Sequence, residues 1–205
     1  MNNLTSQQKG SLLAFIAVMF ITPDSLLIRL SNIETWGMLF YRGAIPFAVT
    51  LIGLLLFYKN NFLKVLFAIG YPGIFYIISF SICNITFIIS IQNTNVANTL
   101  VMIAMAPMIS AVLGAIFLKE MPDKKTWLAI IITFIAVSYI FHDSMEVGNF
   151  YGDIFGLITA FGLATNAVLA RFAKDRDLVP SAVIGKLLVA VFAFFFVDSF
   201  DLNGK

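Results

Sequence analysis

Six polar side chains fall within or beside predominantly apolar stretches of the sequence, and their types suggest recognition rather than covalent chemistry. Arg42 and Lys186 are cations inside apolar runs, Asp24 is an acid next to Pro23, and Asn84, Asn98 and Asn166 are amides. An ion or amide surrounded by lipid-compatible residues is costly unless it faces a partner or a cavity. Arg42 could meet a substrate carboxylate or gate a mouth; the alternative is that its long stem reaches to the headgroups. The same pair of readings applies to Lys186. Asp24 could carry a proton or pair with Arg42 or Arg29, or it could be the solvated residue of a proline kink. Asn84 could bind substrate or tie two helices together. Asn95, Asn98, Met102 and Met105 share a helical face that could line a pathway, with adaptable thioethers, or could be ordinary packing. Glu34 has the place of a helix cap.

These residues sit in elements that only a bilayer explains. Val65 to Leu118 is 54 residues without Asp, Glu, Lys, Arg or His, and 60% of the chain is hydrophobic against 12% charged. A helix of about 20 residues crosses the hydrocarbon core, so this stretch crosses twice, turning at Gln92 to Asn95. Charged residues as end-stops predict seven helices, at 10–30, 36–58, 66–91, 95–118, 126–142, 151–173 and 181–198, in one all-α polytopic bundle. Strands are excluded, since open sheet edges cannot sit in lipid. Lys9, Lys59, Lys64, Lys119, Lys124, Lys125, Arg171, Lys174 and Arg176 fall on one side, nine in all, against Arg29 and Lys205 on the other. Basic residues stay inside, so the N-terminus is expected in the cytoplasm and the Asp143 to Asp153 loop outside the cell.

One Cys and one His exclude a disulfide framework and a Cys/His metal cluster, so no metal or cofactor is expected. Cys83 reads as an apolar filler. A net charge of +2 with scattered basic residues argues against nucleic acid as a partner, and no phosphate-binding loop occurs. Gly152, Gly156, Ala160 and Ala164, every fourth residue, predict a smooth stripe for close helix contact, as do Ala106, Ser110 and Gly114 beside a kink at Pro107.

The chain also repeats itself. An offset of 142 aligns Gly10 to Phe15 with Gly152 to Leu157, Asp24 with Asn166, and Ser25 to Leu30, including Arg29, with Ala167 to Phe172, including Arg171; two further residues bring Arg42 onto Lys186. A unit of five helices is odd, so the second copy enters the membrane from the opposite face. Such inverted repeats underlie many secondary transporters, whose substrate site lies at the midplane between halves. The expected organisation is a first half at 1–143 and the start of a second at 144–205.

Arg42 in the second helix, the Asn95 to Leu100 run, Pro107, the Leu118-Lys119-Glu120 sequence, a short fifth helix and a sixth led by Gly152 resemble the EamA-type transporters of the drug/metabolite transporter superfamily. Ala129 and Ala136 stand where glycines are usual. The resemblance implies ten helices in two five-helix halves, seven of them present here. It also implies a multi-pass inner-membrane protein, not an enzyme, exporting small metabolites such as amino acids by alternating access. Arg42, Asn84, Asn98, Asp24, Asn166 and Lys186 would be its substrate contacts, with proton or counter-substrate coupling, and lipid as its surroundings. Two other expectations compete: a retinal protein with its lysine in the seventh helix, and a truncated product without transport activity. Against retinal stand a cytoplasmic N-terminus and a third helix without a carboxylate.

Overall fold

Among the residues described by the computed structural model, 6–31, 33–59, 69–147 and 150–197, every regular element is a helix. The helices are α1 (Ser6–Ile21), α2 (Asp24–Ser31), α3 (Thr35–Tyr58), α4 (Gly70–Asn93), α5 (Val96–Ile103), α6 (Ala106–Phe117), α7 (Lys124–Val147), α8 (Phe150–Phe172) and α9 (Val179–Phe194). Six stretches are long and apolar enough to cross a membrane: Gln8–Ser31, Thr35–Tyr58, Gly70–Asn93, Val96–Phe117, Lys124–His142 and Phe150–Phe172. The shorter Val179–Phe194 makes the seventh apolar helix. In hydrocarbon each backbone N–H and C=O needs a partner within its own segment, which a helix supplies. The protein is thus an all-α polytopic membrane protein.

The first and fourth expected helices are each broken in two. Thr22 and Pro23 separate α1 from α2, because Pro23 has no N–H for the carbonyl four residues back. Ala104 and Met105 separate α5 from α6, and Pro107 lies in the first turn of α6. Pro107 likewise leaves the carbonyl of Ile103 without its donor. The kink expected at Pro107 is therefore a full interruption three residues upstream of it. Elsewhere caps set the ends. The Glu34 carboxylate accepts from Trp36 N and Gly37 N at 3.0 Å each, and Asn95 Oδ1 accepts from Ala97 N at 3.1 Å to start α5 directly after the turn at Thr94.

The helix α4 lies at the centre, packed chiefly against α8 and also against α9, while α3 packs along α9. Small residues permit these approaches. A Cβ on Gly43 would lie 2.6 Å from Ala190 N, one on Gly152 would lie 2.6 Å from Asn93 C, and one on Gly162 would lie 3.0 Å from Cys83 Cβ. The stripe of Gly152, Gly156, Ala160 and Ala164 is buried throughout. Hydroxyls add to the packing: Thr86 to Thr159 at 2.8 Å between α4 and α8, Ser90 to Thr99 at 2.8 Å between α4 and α5, and Thr94 donating to the fully buried Asp153 of α8 at 2.6 Å. An apolar core of Ile28, Met38, Leu39, Ile88, Ile91, Val189 and Ala193 fixes α2, α3, α4 and α9 together near one end. Arg29 reinforces that end by donating to the carbonyl of Ile91 at 2.8 Å. By contrast, every described side chain of α1 is exposed, Phe20 by 81%.

Candidate functional site

Beneath the core cluster, a cavity of about 570 Å³ opens between α1, α2, α3, α4, α5, α8 and α9. Its wall is mostly apolar, from Val18, Ile21, Phe87, Leu100, Ile103 and Leu163 among others, and its charged groups are Asp24, Arg42 and Lys186. Each comes from a structural peculiarity. Asp24 is the first residue of α2, immediately after the proline break, and its carboxylate lines the cavity from that helix start. Arg42 precedes Gly43, where a Cβ on α3 would overlap the backbone of α9. The close contact involves Lys186 O and Ala190, so the crossing that Gly43 permits brings Arg42 and Lys186 to one cavity. Pro46 in turn cannot donate to the carbonyl of Arg42, which loosens the α3 backbone at this level.

Arg42 and Asp24 form a two-pronged ion pair, Nη1 to Oδ1 and Nη2 to Oδ2, the latter at 2.9 Å. Such fork-to-carboxylate pairs fix orientation as well as charge. Their side chains remain 29% and 32% exposed, so a solute in the cavity can reach both. Across from them the Lys186 ammonium donates to Asn84 Oδ1 at 2.7 Å, and Asn84 Nδ2 donates to the Phe80 carbonyl at 2.7 Å. The cations also lie over aromatic faces, Arg42 at 5.8 Å from the Phe87 centroid and Lys186 at 5.2 Å from that of Phe80. Phe80, Asn84 and Phe87 are four and three residues apart, hence on one face of α4. A ledge of two cations on two rings of α4 results, Arg42 held by Asp24 and Lys186 by Asn84.

The structure thus brings together Asp24, Arg42, Asn84 and Lys186. Arg42 and Lys186 point to protein partners in the cavity instead of the headgroups, and Asp24 pairs with Arg42, not with Arg29. Asn98 and Asn166 are outside the lining. The α5 wall is formed by Leu100 and Ile103, while Met102, on the face it shares with Asn98, is fully buried against Gly156 of α8; the break at Ala104 separates only Met105 from that face. Asn98 is half-buried. Asn166 is buried one turn beyond Leu163, and its Oδ1 has no hydrogen-bond partner among the described residues. Cys83, Phe80, Phe87, Thr159 and Leu163 join the site without having been expected. The two rings were legible as helical neighbours of Asn84; Thr159 and Leu163 were not, since only the packing of α8 on α4 brings them in.

No group of three or more His, Cys, Asp or Glu that could hold a metal ion occurs among the described residues. What the cavity offers is a set of hydrogen-bond donors and acceptors at fixed places, suited to holding a charged solute by its polar end while apolar walls take its body. The sequence profile of the EamA-like transporter family matches residues 8–142, which carry Asp24, Arg42 and Asn84 but not Lys186. No curated protein and no solved structure matches the chain. A family of membrane carriers leaves the retinal reading without support. With apolar helices through most of its length and, between them, a mostly apolar cavity that holds a few charged groups, this chain belongs to the EamA-like transporter family.

Proposed function

We propose that the protein is a secondary carrier of small organic metabolites, held in the cavity between α3, α4 and α9 and released by alternating access. The observation that carries this reading is the juxtaposition of Arg42, Asp24, Lys186 and Asn84 in one cavity of about 570 Å³. Sites of this size take metabolite- to drug-sized solutes. In the proposal Arg42 and Lys186 hold an anionic group, Asn84 orients it, and apolar side chains hold the remainder. Asp24 and Arg42 separate and rejoin as the cavity changes its access.

The proposal includes an inverted repeat, with 1–143 as one half and 144–205 as the start of another. Two helices exchanged by a two-fold axis must cross on that axis at equivalent residues. Gly43 on α3 meets Lys186 and Ala190 on α9, separations of 143 (186 − 43) and 147 (190 − 43) residues, beside the offset of 144 (186 − 42) that relates Arg42 to Lys186. This agreement supports the repeat. The nine-to-two count of basic residues supports a cytoplasmic N-terminus in an inner membrane, and the proposal takes export as the direction.

The test is uptake and efflux of a labelled panel of amino acids, organic acids, sugars and amines by vesicles containing the protein. Saturable flux of a panel member above that of empty vesicles is expected. Flux no greater than that of empty vesicles for all members would overturn the reading and favour a product without transport activity of its own.

A further inference from the structure

The charged groups of the cavity do not cancel. Arg42 and Lys186 supply two positive charges and Asp24 one negative, and no other charged side chain lines the wall among the described residues. The bidentate pairing of Asp24 with Arg42 leaves the ammonium of Lys186 with only a neutral amide oxygen and a ring face. A carrier must close over its site during each cycle, and closing removes the water that solvates any residual charge. An uncompensated charge in that setting is expensive, while a matched one is tolerated when its hydrogen bonds are made. The solute that brings the enclosed charge to zero is therefore the one with which the carrier closes most readily.

Resting on the carrier reading above, we infer that the cavity selects an organic monoanion with an apolar body, and that Asp24 sets this valence by neutralising one of the two cations. The carboxylate of the solute lies between Lys186 and Arg42 with Asn84 beside it, and its body lies against Phe87, Leu100 and Leu163. A dianion would leave the closed site at minus one, and a zwitterion at plus one. Asp24 thus acts as a charge-setting residue through Arg42, and the aromatic platforms keep both cations in place while the solute is absent.

Three labelled probes of similar shape test this counting rule: benzoate (one negative charge), phthalate (two) and phenylalanine (none net). In vesicles containing the full chain, wild type is expected to transport benzoate at least tenfold faster than the other two. Asp24→Asn raises the lining to two positive charges, so its ratio of phthalate to benzoate flux should rise at least tenfold. Lys186→Gln lowers the lining to zero, so its ratio of phenylalanine to benzoate flux should rise at least tenfold. Ratios within one variant are independent of how much of it inserts and folds. Wild type preferring phenylalanine or phthalate, unchanged ratios in both variants, or both variants inactive towards every probe while wild type transports would each overturn the inference while leaving the carrier reading intact. A wild type that moves no member of the wider panel would overturn the carrier reading itself.

Discussion

Replacing Gly43 by alanine tests the crossing that assembles the site. The added Cβ would lie 2.6 Å from Ala190 N, 2.8 Å from Lys186 O and 2.9 Å from Ala190 Cα. All three are backbone atoms, so no side-chain rotation relieves the overlap. Ordinary contact begins near about 3.4 Å, so α3 and α9 must part by roughly 0.8 Å at this level, or tilt by an equivalent amount. Overfilling a packed interface in this way costs about 1–3 kcal/mol. A Cβ on Gly53, on the same helix, would meet nothing within 4 Å, and its alanine variant gains at most about 1 kcal/mol from helix propensity. Trp36 on α3 supplies the signal, because it packs against Phe192 and Phe196 at ring separations of 6.0 and 5.0 Å across the α3–α9 interface. In a titration of detergent-solubilised protein with dodecyl sulfate, in a Trp127→Phe background that leaves Trp36 as the one tryptophan, Gly43→Ala should lose the native Trp36 fluorescence at a clearly lower denaturant fraction than its parent, and Gly53→Ala should not. Coincident transitions for all three proteins would refute the close crossing, and with it the means by which Arg42 and Lys186 share a cavity.

Other outcomes follow from the same geometry. Arg42→Gln should weaken transport severalfold or more while the protein still inserts, and Arg42→Lys should recover only part of it, since an ammonium keeps the charge and loses the fork that grips Asp24 at two points; flux assays of the three proteins check the ranking. Cysteines introduced at Lys124 and at Glu146, with Cys83 replaced, should react with an impermeant thiol reagent from the cytoplasmic and outer sides respectively, as accessibility labelling of intact cells reads. Asp123 accepts from Thr126 N at 2.8 Å and from the Thr126 hydroxyl at 2.5 Å, which holds its carboxyl below its ordinary value. A depressed value means that this cap contributes above the unfolded-state value and is lost as pH falls through the folded one. The contribution to α7 should thus be full at neutral pH and fade in the acid range, a loss that Thr126→Ala should diminish in thermal unfolding followed by circular dichroism.

The membrane class, the number of apolar helices and the cap at Glu34 were legible in the residues alone because each depends on local rules, whereas Asn95, expected in the turn and on the pathway face, is seen to cap α5 only in the structure. Helix length must match the bilayer, charge ends a span, and a carboxylate or amide before a helix accepts its first N–H groups. The small-residue stripe of α8 was legible for the same reason, since a period of four on one face is visible without knowing the partner. Arg42, Asp24, Asn84 and Lys186 could be chosen as polar groups too costly to leave in lipid, but their roles could not, because cost says that a partner exists and not which one. Asn98 and Asn166 show the limit: by residue type they matched Asn84, and only the packing separates them from the cavity. Within α5, Leu100 and Ile103 take the cavity side while Met102 packs against Gly156 of α8, and the approach of α8 to α4 brings in Thr159 while Asn166 passes beyond the lining. Which charges share a space is a matter of helix crossings, and a crossing such as that at Gly43 depends on backbone atoms nearly 150 residues apart (190 − 43 = 147), a separation across which hydrophobic periodicity carries no information.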